Sequence, residues 1–138
     1  MTATMTAMWA AVRLRRKALP ELIAGIERPA ARRRRRVRGR PDIPLVIAVL
    51  RLFTGFAAPM RENAIVVAAL RRCGVPAQLV VGADPVPDER GGYRVYTWIE
   101  LAGVALDTDS PPGNYLVEMV RFPRVGDRRA RNSLPRAH

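Results

Sequence analysis

The 138-residue chain has one cysteine, one histidine and one lysine. Cys73 alone excludes an internal disulfide and a thiolate metal site. The single histidine, His138, is the last residue of the sequence, where side chains are poorly held. A histidine-based metal site and a Ser/His or Cys/His pair are therefore not expected, and no cofactor is. Long apolar runs are missing too. "IPLVIAVL" is the longest, far short of the roughly 20 residues that a membrane span needs. "MTATMTAMWAAV" has no basic residue ahead of its apolar stretch, so a secretory signal is not expected either. The protein reads as cytoplasmic.

Acid is in short supply: 12 Asp+Glu face 24 Lys+Arg, for a net charge of +12. The excess is confined to two segments. Residues 28–40, "RPAARRRRRVRGR", hold eight arginines and no acid, and residues 121–138 hold six arginines and Asp127. Between them, residues 41–120 carry six basic and nine acidic residues. Such runs are solvated or interacting arms. Phosphates, anionic lipid or an acidic partner all suit them. Nucleic acid is the weaker expectation, because the core carries no nucleic-acid-reading motif.

The chain is long enough for one domain with a sizeable core. Residues 1–40 read as N-terminal helices and an arginine-rich linker, 41–120 as the core, and 121–138 as a basic, disordered tail. Met5 to Leu19 has helical composition, with Met5, Met8, Trp9, Val12 and Leu19 as its apolar positions and a basic cluster at its C-terminal end. Pro20 opens a second piece, "PELIAGIE". This amphipathic N-terminus is suited to packing on its own domain, and also to a membrane surface or a partner.

Pro44 to Phe56, "PLVIAVLRLFTGF", is apolar nearly all round and predicts a buried helix ending at Gly55. Pro59 opens another helix, "PMRENAIVVAALRRCG", with Arg71 and Arg72 in its last turn and Gly74 as the left-handed stop. Its inward stripe is Met60, Ala64, Val67 and Leu70, with Ala68. Strands follow: "VPAQLVVGA", then "GGYRVYTWIELAG", then "VALDTD", the last two a hairpin about Ala102-Gly103. "NYLVEMVRF" fits a strand or a short helix. Helices feeding a small antiparallel sheet make an α+β fold.

The order "LRRCGVPAQLVVGA", "YRVYTWIEL", "VALDTDS" resembles the leader-peptidase component of lasso-peptide biosynthesis over about residues 45–120. That resemblance implies a transglutaminase-like, papain-like core and a Cys/His/Asp triad. In the family a cysteine begins the helix, a histidine precedes Ala-Trp-(Val/Ile)-Glu on the strand, and an aspartate follows the hairpin. Pro59 stands here in the cysteine position with Met60 after it, and Tyr96 stands in the histidine position. The aspartate is kept as Asp107, with Asp109 close behind. The family's triad chemistry needs a thiolate, a proton carrier and an orienting carboxylate. Proline has no nucleophile, and a phenol with a reference pKa of about 10 moves protons poorly near neutrality. Cys73, about 21 Å along the same helix from Pro59 by helical rise, is out of reach.

In the inherited geometry Pro59, Met60, Asn63, Tyr96 and Trp98 face the former site, with Asp107 behind and Thr97 turned away. Such a cleft would hold an apolar small-molecule or peptide intermediate of natural-product biosynthesis, and would promote an intramolecular cyclisation by folding it. Tyr96 would donate to a carbonyl. The alternative is a pseudo-peptidase that docks a leader peptide or an active protease partner and catalyses nothing. Simpler roles stand beside these: Tyr96 and Trp98 as space-filling side chains, Asp107 as a turn residue, and Glu100 as a partner of Arg61 or Arg94.

Overall fold

The computed structural model describes residues 2–30, 39–55, 58–106 and 112–124. Four helices come first: α1 (Ala3–Leu14), α2 (Leu19–Glu27), α3 (Ile43–Thr54) and α4 (Pro59–Arg72). Four strands follow: β1 (Gln78–Ala83), β2 (Val95–Leu101), β3 (Val104–Leu106) and β4 (Val117–Phe122), the last entered through a 3-10 turn at Pro112–Asn114. The strands form one antiparallel sheet in the order β3-β2-β1-β4. The fold is α+β.

Local chemistry sets most of the element ends. The Thr2 hydroxyl accepts from Met5 N–H (3.2 Å), and the Asp42 carboxylate accepts from Leu45 N–H (3.1 Å), each satisfying an amide that the first helical turn leaves over. Pro59 lies in the first turn of α4, where a missing N–H costs nothing. Gly55 and Gly74 end α3 and α4 at φ of 65° and 81°. Helix α1 stops at Leu14, not Leu19. A continuous helix would drive the Pro20 ring against the preceding turn, so the chain turns through Arg15–Lys17 and restarts as α2.

Helix α4 is the central pillar. From Ala64 to Arg71 every residue is buried: α1, α2 and α3 pack on it, as do β1 and β2 on the sheet side. Met60, at its start, is half-buried against the core. Burial all round is reserved for α4. Helix α3 buries only Ile43, Val46, Ile47 and Leu50, and leaves Leu45, Leu52 and Phe53 exposed, which corrects the expectation of a buried α3. In α1 the buried stripe is Ala3, Ala7, Ala11 and Leu14. Small side chains allow two helix axes to approach closely, so the larger Met5 and Trp9 are turned outward.

The sheet joins the core through Leu79 and Val81 of β1 and Ile99 of β2 on the α4 side, and through Val120 and Phe122 of β4, which packs on α2. Strand β2 begins at Val95, because the residues before it form a turn in which the Asp88 carboxylate accepts from the N–H groups of Arg90 and Gly92 (2.9 Å each). The β2–β3 hairpin closes on Ala102 (φ 52°) and Gly103 (φ 78°), the two positive angles that a type I′ turn requires. "NYLVEMVRF" resolves as strand from Val117 on. It takes in Arg121 and the buried Phe122, which the sequence reading counted with the tail. Residues 125–138 of that tail and the linker arginines at 32–36 lie outside the described residues.

Candidate functional site

The cavity that gathers the predicted residues best lies where α3, the first turns of α4, β2 and the 112–116 turn converge, and has a volume of about 220 Å³. Asn63, Tyr96 and Trp98 border it; Pro59 and Met60 do not. Pro59 is exposed at the head of α4, and itself supplies neither a nucleophile nor an N–H. Asp107 and Asp109 lie outside the described residues. Cys73 caps the opposite end of α4, buried, and burial pushes its thiol pKa up, which makes it a poor nucleophile. Among the described residues no group of three His, Cys, Asp or Glu side chains could hold a metal.

The face of β2 turned to α4 is the one carrying Thr97, not the one carrying Trp98. Asn63 Nδ2 donates to the Thr97 carbonyl oxygen at 3.1 Å and to its hydroxyl at 2.9 Å. Thr97 stands opposite Val81 and Ile99 opposite Leu79 in the β1–β2 register, and that row meets the helix. The expectation that Thr97 turns away is thereby corrected. Tyr96, Trp98 and Glu100 belong to the alternate row, with Gly82, Val80 and Gln78 as partners. Trp98 borders the cavity, but its indole lies over Gly82, so close that a Cβ there would come within 2.7 Å of Cη2.

On that outer row Trp98 Nε1 donates to Glu100 Oε1 at 2.9 Å. Arg121 Nη1 reaches Glu100 Oε2 at 2.6 Å and Gln78 Oε1 at 2.8 Å, while its Nε and Nη2 grip both oxygens of Glu118. Glu100 is thus the partner of Arg121, not of Arg61 or Arg94. Arg61 instead donates to the Arg15 carbonyl at 2.7 Å and ties α4 to the end of α1.

Within the cavity the polar groups are already engaged with one another. Glu62 is buried, and both its oxygens accept from Arg51, at 3.1 Å from Nε and 2.8 Å from Nη2. This fork leaves Arg51 half-exposed at the cavity wall. Ile43, Ile47, Ile99, Leu106 and Leu116 supply apolar walls, and Thr97 and Tyr115 add hydroxyl-bearing side chains to the lining. Tyr96 is 41% exposed and presents its phenol at the rim. Neither Glu62 nor Arg51 carried a sequence signal, since nothing local links residues 11 apart on two helices.

The arrangement can bind. Its apolar walls and its size suit one side chain of a ligand. β3 pairs with Ile99–Leu101 only, so beside the cavity the outer edge of β2 from Val95 to Trp98 has no strand partner among the described residues. No protein-family model matches the chain, and no curated protein or solved structure matches it either.

Proposed function

We propose that this protein is a non-hydrolytic binding member of natural-product biosynthesis, built on a transglutaminase-like scaffold similar to the lasso-peptide leader peptidases. It takes an extended peptide segment along the edge of β2, with one side chain in the cavity beside it. The reading is cytoplasmic, and its ligand is a precursor's leader peptide or a segment of a biosynthetic protein partner.

The observation that carries this is the cavity's place and size. It stands beside the first turns of α4 and is bordered by Tyr96, which holds the position the resemblance gives to a histidine, whereas Pro59, in the cysteine position, does not line it. A volume of about 220 Å³ falls below the roughly 300 Å³ at which pockets begin to enclose drug-sized ligands. It fits a single side chain, and an edge strand supplies the main-chain hydrogen bonds that peptide recognition by strand addition uses. Folding a whole intermediate for cyclisation calls for more enclosed space. That second reading keeps one supporting observation, the half-exposed Tyr96 phenol at the rim, which could donate to a carbonyl.

The test is fluorescence anisotropy with labelled leader-type peptides, followed by intact-mass measurement of the same samples. Micromolar binding with unchanged peptide mass supports the reading. Peptide cleavage, or no binding of any leader-type peptide, sinks it. Tyr96→Phe separates the two readings: under peptide docking, affinity changes little, whereas under cyclisation the rate of product formation drops with folding intact.

A further inference from the structure

A larger concavity lies elsewhere, on the helical side. Helices α1 and α3 run side by side in the same direction: Asp42 N–H donates to Thr4 Oγ1 (3.0 Å) at their N-terminal ends, and the Arg15 guanidinium lies 5.3 Å from the Phe53 ring centroid at their C-terminal ends. Between them is an apolar groove of about 550 Å³, walled by Met5, Trp9, Val12, Val49 and Phe53. The apolar surface continues past the groove. Leu45 and Leu52 do not line it, yet by helical spacing they share the α3 face of Val49 and Phe53, and they are 46% and 83% exposed. Contiguous apolar exposure on this scale marks an interaction surface.

We propose that this α1–α3 face lies on an anionic lipid surface, with the helices in the plane of the headgroups. Charge selects the occupant. Neither helix contains an acid, and Arg13, Arg15 and Arg16 line the groove. Arg13 is held 4.9 Å from the Trp9 centroid, the pairing of cation and amphipathic ring that suits the headgroup level. A second copy of a chain with net charge +12 would be repelled, and the chain's own arginine-rich segments would be too. An acidic helix would fill the groove but leave Leu45 and Leu52 in water, whereas a bilayer boundary covers groove and flanks together. At 12 residues each, α1 and α3 are too short to cross, and among the described residues no helix is long and apolar enough to do so. This inference stands apart from the peptide-binding reading and uses none of its residues.

The protein carries its own reporter. Trp98 is 6% exposed and Trp9 is 62% exposed, so a change in emission reports Trp9. The full-length protein is titrated with phosphatidylcholine vesicles, with and without phosphatidylglycerol, in low and high salt. The expected result is partition onto the anionic vesicles with a blue shift, weakened by salt. Arg16→Gln should weaken partition about fivefold, the worth of one cation near an anionic surface. Leu52→Glu, at a position that folding does not use, should abolish the blue shift and most of the binding. Trp9→Phe should lose the shift while still sedimenting with vesicles. The proposal is overturned by equal partition onto neutral vesicles, by anionic binding that leaves Trp9 emission unchanged, by full binding of Leu52→Glu, or by saturable capture of an acidic amphipathic peptide without any vesicle binding.

Discussion

The Asn63 side-chain amide donates to both oxygens of Thr97, at 3.1 Å to the carbonyl and 2.9 Å to the hydroxyl. One side chain thereby fastens the pillar helix to a part of β2 that β3 does not reach. The same contact decides which row of β2 faces inward and where the cavity opens.

Removing that amide should be felt in stability. Asn63→Ala leaves two half-buried acceptors short of a donor, at a cost of about 1–3 kcal/mol. Asn63→Asp should cost at least as much, because a carboxylate cannot donate to a carbonyl. Urea midpoints for the two variants check this; a loss below about 0.5 kcal/mol, the range of an ordinary surface change, would deny the contact its role.

Gly82 has no room for a methyl group. A Cβ there meets Trp98 Cη2 at 2.7 Å and the Val117 carbonyl oxygen at 2.9 Å. Gly82→Ala should therefore destabilise by about 1–3 kcal/mol. Adding Trp98→Leu should recover part of that loss and not all, since the Val117 oxygen stays. Thermal denaturation of the two single variants and the double variant measures the coupling; strict additivity would show that the indole does not occupy this space.

Acid should loosen β4 early. The hydrogen bonds from Arg121 hold the Glu118 carboxyl below its ordinary value, and Arg121 is pushed up in return. A carboxyl depressed in the folded state gives its full stabilisation above its unfolded pKa, about 4.3, and loses it as pH falls through the lower folded value. Stability should thus decline below about pH 4.3, and Glu118→Gln should flatten that decline. Melting temperatures across the acid range decide it, and identical acid profiles for the two proteins would refute the assignment.

Cys73 should be nearly inert in the folded protein. Its thiol is buried against the core and burial pushes its pKa up, so little thiolate is present at neutral pH. A thiol reagent should label it slowly in native buffer and fully in urea. Rapid native labelling would mean that the end of α4 opens, and would reinstate Cys73 as a candidate nucleophile.

The α+β class, the start of α4 at Pro59, its stop at Gly74 and the Ala102-Gly103 hairpin were legible from residue order. Each depends on a constraint that one or two residues carry in their own backbone: a ring that fixes φ, or a glycine free to take a positive one. The candidate site was legible only in part. Asn63, Tyr96 and Trp98 do meet at one cavity, but Arg51 and Glu62 were missed, and Thr97, expected to turn away, sits on the row of β2 that meets α4.

Alternation along β2 divides its side chains into two rows and says nothing about which row meets a helix. Packing made that choice, through Asn63 and the β1 register. Apolar content likewise could not tell α3 from α4, since both are rich in aliphatic residues. Only the placement of three helices and a sheet around α4 left one of them buried on every side and the other with an exposed face. The sequence alone determined where elements begin, end and turn, because those are local steric facts. The tertiary structure decided which faces are inside and which charges pair, because burial and ion pairing belong to residues far apart in the chain.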